Sequence, residues 1–262
     1  MHKLKLISVL FISLNLFCGL EAVERTPVQD SAMFQMLPGV QGDLSSIRNK
    51  NKVIRLIFVR HGETFSNVEK SVAGRTTDTD LTEKGIKQAK MVAEQLKGVK
   101  FEKIFVSPTL RTQKTALYSS QYDPHPFVEE PLLLERHFGP YEGVSEEMWK
   151  PARIKEASAI AALPTFEEKF AFKIDPGMES FGEVQERIDL FIKDIANSQA
   201  TGNYLVVTHA AVTKALFMAK SAEHGYDLEY YSFSSDNCSV IVVEVASSGE
   251  YSIVAVQGLR FY

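Results

Sequence analysis

The sequence is poor in cysteine, and its two cysteines, Cys18 and Cys238, do not suggest a disulfide framework. Cys18 lies in an N-terminal segment that we expect to be removed, and the single remaining thiol cannot form an internal disulfide. Cys238 adjoins the apolar run 240–245 and is interpreted as a buried small residue rather than a nucleophile. The fold must therefore be held by an apolar core, for which a hydrophobic content of 45% in 262 residues is sufficient.

Clusters of basic residues are also missing. The chain has 29 lysines and arginines against 33 aspartates and glutamates, a formal net charge of −4. Without residues 1–22 it has 27 basic against 32 acidic residues, a net charge of −5. A mildly acidic chain without a run of Lys or Arg offers no electrostatic surface for nucleic acid. We therefore expect no nucleic-acid partner, and any anion must be bound by a few individually placed cations.

The one extended apolar stretch, residues 6–20, follows two lysines at the N terminus. It matches the apolar region of a signal peptide and is short for a membrane span, which needs about 20 residues. We predict a signal peptide at 1–22 and export of the protein, either to a periplasm or out of the cell. Because Leu20 is large for its place before a cleavage site at Ala22, an uncleaved signal anchor is the alternative. If the signal is cleaved, no stable membrane association is expected.

Residues 23–50 mix Pro, Gly, Ser and Gln and are interpreted as a linker or a loosely ordered lead-in. Beyond them, three short runs rich in β-branched and aromatic residues predict strands that are buried on both faces. These runs are 53–59, 104–106 and 204–207. Each is followed by a helix-like segment, and Thr82 and Ser180 are expected to cap two of the helices. The alternation predicts an α/β fold, a three-layer sandwich with a mostly parallel central sheet and helices on both faces.

Two further segments complete the predicted architecture. The runs 239–245 and 251–256 flank Ser247-Ser248-Gly249 and predict a hairpin or a tight connection. The stretch 144–178 contains several prolines and only weak helical patterning, and we interpret it as a small cap insertion lying over the sheet. We therefore predict one domain at 51–262, with the cap at about 144–178.

Polar residues follow each of the three predicted strands. They are Arg60-His61-Gly62-Glu63-Thr64, then Ser107-Pro108 with Arg111 on the next helix, then Thr208-His209-Ala210. A lone histidine or arginine in such a place is most often structural. The carboxyl ends of parallel strands, however, meet at one edge of a sheet, where ligands bind, so two arginines and two histidines converge. Guanidinium groups suit phosphate oxygens, and helix N-termini add N–H donors.

Metal binding is the rival use for two histidines. No set of His, Asp and Glu at ligand spacing accompanies them, and the arginines would repel a cation. We therefore expect neither a metal nor another cofactor.

Over roughly residues 53–245 the sequence resembles the histidine phosphatase superfamily, also called the phosphoglycerate mutase-like family. The resemblance is carried by seven motifs in the family's order. They are Arg60-His61-Gly62-Glu63-Thr64 with Asn67; Asp80-Leu81-Thr82 with Gly85 and Gln88-Ala89; Ser107-Pro108 with Arg111-Thr112 and Thr115-Ala116; Leu134-Glu135-Arg136-His137-Phe138-Gly139 with Glu142-Gly143; Glu179-Ser180; Thr208-His209; and Asn237.

The resemblance implies a metal-independent catalytic domain that acts on a small phosphorylated substrate. His61 would be the nucleophile that takes the phosphoryl group, and Glu135 the general acid that protonates the leaving oxygen. The groups around the phosphate would be Arg60, Asn67, Arg111 and His209. Positive charge and hydrogen bonds on the phosphoryl oxygens would then do the work that a metal does in many phosphoryl-transfer enzymes. Glu63, although part of the first motif, is interpreted as ordering the loop.

Departures from the mutase pattern favour a phosphatase. Phe138 occupies a position where the family's mutases have Tyr, and Glu146 occupies one where they have Lys. Where the mutases have an Arg-Arg pair, this sequence has the single arginine Arg153. The predicted export also favours a phosphatase over a mutase, since glycolytic intermediates are cytoplasmic. The acid-phosphatase and phytase branch is less similar. Mutase-type phosphoryl transfer and a non-catalytic phospholigand-binding module are the alternatives. Such a module would usually have lost the nucleophile or the acid, and both are present. The physiological substrate and the oligomeric state are left open.

Overall fold

One six-stranded sheet runs through the centre of the computed structural model, which describes residues 44, 53–198, 200–226, 228 and 230–261. The strands are β1 (Ile54–Arg60), β2 (Phe101–Val106), β3 (Phe127–Glu129), β4 (Gly202–Thr208), β5 (Phe233–Val245) and β6 (Tyr251–Phe261). Their spatial order is β3-β2-β4-β1-β5-β6. The first four are parallel to one another, and β5 and β6 extend the sheet as an antiparallel pair. The predicted mostly parallel sheet and the hairpin are confirmed.

Seven helices connect or flank these strands in the described residues. They are α1 (Phe65–Val68), α2 (Glu83–Gln95), α3 (Leu110–Ser119), α4 (Glu146–Ala161), α5 (Phe166–Ala171), α6 (Phe181–Asn197) and α7 (Ala210–Glu223). The Thr82 side chain accepts a hydrogen bond from the N–H of Gly85 at the start of α2, at 3.0 Å. Ser180 accepts one from the N–H of Glu183 at the start of α6, at 3.1 Å. Both predicted N-caps are therefore confirmed.

Strand β1 shows why its sequence is continuously apolar. Leu56 and Phe58 point into a core cluster that includes residues of α6 and α7. Ile57 and Val59 point to the opposite face, into a cluster with residues of α2 and α3. All four side chains are fully buried, and each burial stabilises the fold by about 1.5–3 kcal/mol. Helices thus cover both faces of the sheet, and the three-layer sandwich is confirmed.

Helices α4 and α5 lie within the stretch 144–178, for which the sequence predicts a cap. A buried ion pair fixes this stretch, because Glu156 on α4 accepts a hydrogen bond from the Arg136 guanidinium at 2.7 Å. The hydroxyl of Tyr231 donates to the other oxygen of Glu156 at 2.6 Å. The ring of Trp149 packs against Tyr141, with 4.5 Å between the centroids. The cap is therefore joined to the domain by polar as well as apolar contacts.

The predicted signal peptide at 1–22 lies outside the described residues, as does almost all of the predicted linker at 23–50. Among the helices that are described, none combines the length and the apolar character needed to cross a membrane.

Candidate active site

The loop after β1 places the imidazole of His61 at the edge where the parallel strands end. The side chain is buried, and its Nδ1 lies 2.8 Å from the carbonyl oxygen of Gly62. A carbonyl oxygen only accepts hydrogen bonds, so Nδ1 carries the hydrogen and Nε2 carries the lone pair. Burial and the positive charges of Arg60 and Arg111 hold the pKa of His61 well below its usual value of 6.5. The imidazole is therefore neutral at neutral pH and has an unprotonated Nε2.

The imidazole of His209, which follows β4, lies beside that of His61, with 5.4 Å between the ring centroids. Its Nδ1 accepts a hydrogen bond from Nε of Arg111 at 3.3 Å, so its hydrogen is on Nε2. Nε2 lies 2.8 Å from the hydroxyl oxygen of Ser107, which follows β2. Burial, and next the charge of Arg111, hold the pKa of His209 well below 6.5.

Arg111, on the first turn of α3, is completely buried and is fixed by a loop that precedes α2. Its Nη1 donates to the carbonyl of Thr77 at 3.0 Å and to the carboxylate of Asp78 at 2.9 Å. Its Nη2 donates to the carbonyl of Gly74 at 2.8 Å. With the bond to His209, four of the five N–H donors are used within the described residues. The remaining Nη2 donor is suited to an anion.

Arg60 and Asn67 line one cleft at the edge of the sheet. Arg60, the last residue of β1, donates from Nη1 to the carbonyl oxygen of Ser235. The side-chain oxygen of Asn67 accepts a hydrogen bond from the amide of Asn237 at 3.0 Å, and this amide also donates to the carbonyl of His61 at 3.2 Å. The oxygen of Asn67 is thus occupied, and its NH₂ group is the part that can donate to a bound anion.

Glu135 is the carboxyl group of the cleft that lies next to the second histidine. It is only 6% exposed, and its Oε1 accepts hydrogen bonds from the N–H groups of Arg136 at 2.9 Å and Ala211 at 3.1 Å. Ala211 belongs to the first turn of α7, which His209 precedes. Since both of these bonds reach Oε1, Oε2 is the oxygen that can carry a proton toward a ligand.

All six residues singled out in the sequence are brought together by this geometry. They are His61, Glu135, His209, Arg60, Asn67 and Arg111. Arg60, Asn67 and Glu135 also line an adjoining cleft of about 790 Å³, whose lining includes Trp149, Arg153, Ile154 and Ala157 of the cap. The arrangement offers a neutral imidazole nucleophile, two fixed guanidinium groups and a carboxyl group that can carry a proton. Such a set can bind a phosphate and transfer it.

Two glycines allow the nucleophile loop to lie against α2. A Cβ on Gly62 would lie 2.6 Å from the carbonyl oxygen of Gly85, and a Cβ on Gly85 would lie 2.1 Å from that of Glu63. The Glu63 carboxylate accepts a hydrogen bond from Thr82 at 2.9 Å and pairs with Lys84 at 2.7 Å. Glu63 therefore joins the loop to the start of α2, which is the ordering role predicted for it.

Glu142, to which the sequence assigned no role, holds the loop that fixes Arg111. Its carboxylate accepts hydrogen bonds from the N–H groups of Arg75 at 2.9 Å, Thr76 at 2.7 Å and Phe138 at 3.1 Å. Desolvation opposes ionisation, but these bonds and one from the Thr76 hydroxyl outweigh it and lower the pKa of Glu142. A side chain at position 74 would collide with this carboxylate, since a Cβ there would lie 2.1 Å from Oε1.

We expect Glu142→Gln to lower kcat/KM by about 10²-fold, because a misplacement near 1 Å of a phosphate-binding group can cost that much. An amide has one accepting oxygen and cannot replace the carboxylate, so the carbonyl of Gly74 and with it Arg111 would shift. The exposed Glu147 provides the matched control Glu147→Gln, which should behave as wild type. A Glu142→Gln protein that unfolds at the wild-type temperature and keeps wild-type kcat/KM would contradict this role.

Among the described residues, His125, His137 and Cys238 do not line the cleft. Nδ1 of His137 lies 2.8 Å from the carbonyl of Gly177, and His125 pairs with Asp123 at 3.2 Å. Cys238 is half-buried, and desolvation raises the pKa of its thiol to about 12, so it is a poor nucleophile at neutral pH. No group of three or more His, Cys, Asp or Glu side chains suited to a metal ion occurs in the described parts of the chain.

A family model for the histidine phosphatase superfamily (branch 1) matches residues 56–257 of the chain. This range holds all six residues that the geometry brings together. The predicted resemblance is therefore confirmed by an independent comparison.

Individual relatives agree with this match. The chain is 32% identical to a metal-independent phosphoserine phosphatase of Arabidopsis thaliana, over 66% of this chain and 71% of the relative. It is 27% identical to a 2,3-bisphosphoglycerate-dependent phosphoglycerate mutase 2 of Gloeobacter violaceus, over 76% of this chain and 89% of the relative. The solved structure of Bacillus stearothermophilus YhfR superposes with a TM-score of 0.62 at 26% identity, over 76% of this chain and 95% of that one. The chain belongs to the histidine phosphatase superfamily, branch 1, as a member of the phosphatase type.

Proposed function

We propose that this phosphatase hydrolyses phosphate monoesters in two steps, through a phosphohistidine on His61, with Glu135 as the general acid. The observation that carries the proposal is the tautomer of His61. The bond from Nδ1 to the Gly62 carbonyl leaves the lone pair on Nε2, next to two arginines that can hold the phosphate. A nucleophile, a cationic site and a proton donor are the three components that this reaction needs.

In the first step, Nε2 of His61 attacks phosphorus and the bond from phosphorus to the ester oxygen breaks. The leaving oxygen takes the proton from Oε2 of Glu135 and departs as an alcohol, because an alkoxide is a poor leaving group. The site now holds a phosphohistidine and a Glu135 carboxylate. Arg60, Arg111 and the NH₂ group of Asn67 bind the phosphoryl oxygens throughout. His209, held by Arg111 and Ser107, lies beside the imidazole of His61 that receives the phosphoryl group.

In the second step, the Glu135 carboxylate takes a proton from a water molecule whose oxygen attacks phosphorus. The N–P bond breaks, inorganic phosphate leaves, and His61 returns to its neutral state. Glu135 is protonated again and the cycle is closed. The acid of the first step is the base of the second, so one carboxyl group serves both.

We expect hydrolysis of p-nitrophenyl phosphate at mildly acidic to neutral pH, with no loss of activity when a strong chelator is present. The reason is that the arginines and histidines stabilise the phosphoryl charge that a divalent metal stabilises in other enzymes. Phosphate release is measured with and without the chelator and after adding back Mg²⁺ or Zn²⁺. Activity that the chelator removes and a metal restores would contradict the proposal. Tight binding of phosphorylated ligands without turnover would favour a binding module instead.

Mutase-type transfer is the second candidate function, since a phosphoglycerate mutase is among the relatives. One residue of the cleft favours hydrolysis over mutase-type transfer. Glu146, where the family's mutases have Lys, lines the cleft and pairs with Arg153 at 2.9 Å. A carboxylate there reduces the attraction for a phosphorylated acid held in two orientations. With 3-phosphoglycerate as the substrate, release of inorganic phosphate indicates a hydrolase. Formation of 2-phosphoglycerate indicates a mutase.

We also propose that residues 1–22 direct export. The support is sequence alone: a short apolar stretch after two lysines and a small residue at the expected cleavage site. Sequencing the N terminus of the protein recovered from cells tests this, and an intact Met1 in a cytoplasmic fraction would contradict it.

A further inference from the structure

A cluster of three charged side chains lies against the segment that carries the general acid. Its centre is Glu179, which comes directly before the N-cap of α6 and has only 12% of its side chain exposed. Arg187 of α6 donates to both oxygens of this carboxylate, from Nε at 3.0 Å and from Nη2 at 3.3 Å. Arg75 donates to it from Nη2 at 2.7 Å. One carboxylate thus joins two arginines from distant parts of the chain.

The cluster holds the backbone of residues 132–137 at three points. Nη1 of Arg187 donates to the carbonyl oxygen of Leu132, and Nε of Arg75 donates to that of Glu135 at 3.0 Å. The Glu179 carboxylate accepts a hydrogen bond from the N–H of His137 at 3.3 Å. Glu135 lies between the outer two of these contacts and receives the middle one itself. The cluster therefore fixes the backbone of the general acid.

Glu135 is held at both of its ends. Its Oε1 accepts hydrogen bonds from the N–H groups of Arg136 and Ala211, and its carbonyl oxygen accepts one from Arg75. The position of Oε2 follows from these contacts together. A general acid works only within hydrogen-bond reach of the oxygen that it protonates. Because a shift near 1 Å can cost about 10²-fold in rate, the contact at the carbonyl affects catalysis although it lies away from Oε2.

The charges of the cluster give it a fixed geometry. Burial lowers the pKa of Arg187, and the hydrogen bonds and charge of Glu179 oppose this. A bidentate arginine–carboxylate pair is geometrically specific, and one with little solvent around it is stronger than a pair at the surface. Since Arg75 shares the same carboxylate, Glu179 sets the position of Arg75 relative to α6. The general acid is in this way linked to a helix of the core.

We infer that Glu179, acting through Arg75, is a positioning residue for the general acid Glu135. The inference rests on the proposed phosphatase function and adds to it the pair of residues that orients the proton donor. Neither residue of the pair takes part in phosphoryl transfer. An ester whose leaving oxygen must be protonated should depend on this pair, and an ester whose leaving group departs readily without a proton should not.

Arg75 also belongs to the loop that fixes Arg111, because its N–H donates to Glu142. The measurement has to separate this role from the positioning of Glu135. A shift of Arg111 weakens the hold on the phosphoryl group of every ester alike. A shift of Glu135 slows only the esters that need its proton, so the ratio of two esters reports the acid alone.

The test compares p-nitrophenyl phosphate with benzyl phosphate, which are similar in size but release a stable phenolate and an alcohol. The ratio of their kcat/KM values is measured in the wild type, Arg75→Met, Glu179→Gln and the double variant. We expect the ratio of p-nitrophenyl to benzyl phosphate to rise by roughly tenfold to a hundredfold in Arg75→Met, the cost of a misplaced catalytic group. It should also rise in Glu179→Gln. In the double variant it should rise by less than the product of the two single increases, because both changes break the same link.

Glu244→Gln is the matched control, since it changes a carboxylate that pairs with a buried arginine, Arg55, at 2.7 Å at the opposite end of β1. It should keep the wild-type ratio, and a rise there would contradict the inference. An unchanged ratio in Arg75→Met contradicts it even if Glu179→Gln does not fold, because the Arg75 side chain is 29% exposed and its loss is tolerated more easily. A double variant whose increase equals the product of the single increases contradicts the route through Arg75.

The same measurements distinguish this inference from the proposed function. If the wild type hydrolyses both esters and the variants keep its ratio, only the inference fails. If the wild type hydrolyses p-nitrophenyl phosphate but not benzyl phosphate, the proposed role of Glu135 fails and the inference with it. Hydrolysis of neither ester contradicts the proposed function as a whole.

Discussion

Replacing His61 with alanine is expected to lower kcat for p-nitrophenyl phosphate by roughly 10⁴-fold or more, the scale on which enzymes lose activity without their nucleophile. Arg60 and Arg111 would still bind the phosphate, so a phosphorylated ligand should still bind the variant. The measurement is phosphate release together with the affinity for inorganic phosphate. The loss should fall on kcat and not on binding.

His125→Ala is the matched control for this variant. The same atoms are removed from a histidine that pairs with Asp123, outside the candidate site. It should keep wild-type kcat. If His61→Ala retained more than a few per cent of the activity, another group would have to be the nucleophile.

Replacing Glu135 with glutamine is expected to lower kcat for alkyl phosphates by roughly 10²–10⁴-fold, the usual contribution of a general acid. The loss should be much smaller for p-nitrophenyl phosphate in the first step, because p-nitrophenolate leaves without a proton far more readily than an alkoxide. Glutamine can still accept the hydrogen bonds that Oε1 receives from Arg136 and Ala211, so the site should keep its shape. The measurement is kcat/KM, which reports the first step, over a series of leaving groups.

A steeper dependence of kcat/KM on the leaving group in Glu135→Gln than in the wild type is the expected signature. The exposed Glu186 provides the control Glu186→Gln, in which the dependence should not change. An equal loss for alkyl and aryl esters would mean that Glu135 shapes the site and does not protonate the leaving oxygen.

The strands that carry the site could be predicted because burial on both faces leaves a clear pattern in sequence. β1 pairs with β4 and β5 and is covered on both faces, so it reads as one apolar run. β3 leaves no such pattern, since it has only three residues at an edge of the sheet and two of them are exposed. The first half of β5 was missed for a related reason. Ser234, Ser235 and Asp236 are polar, and the register with β6 is interrupted between Ser235 and Val240.

The cap was predicted as a segment but its helices were not. Helix α4 contains Pro151 and has only three buried residues among sixteen, so its amphipathic pattern is weak. Its order comes from outside the helix, above all from the buried pair of Glu156 with Arg136. A residue buried by a distant partner in this way leaves no periodic signal.

The residues of the candidate site also fall into two groups, those that can be predicted from the sequence and those that only the fold brings to the site. Residues at strand ends, such as His61 and His209, follow from the rule that parallel strands end at one edge. Glu142 acts through a loop more than sixty residues away in sequence, and only the fold brings them together.

The most direct test of the central claim is to stop the wild-type enzyme during turnover of a labelled phosphate ester, under alkaline conditions that preserve an N–P bond, and to locate the label by mass spectrometry. We predict one phosphoryl group on the peptide that contains His61, lost on brief exposure to acid and absent from His61→Ala. Turnover with no label at His61, or with the label on another side chain, would contradict the mechanism proposed for this site.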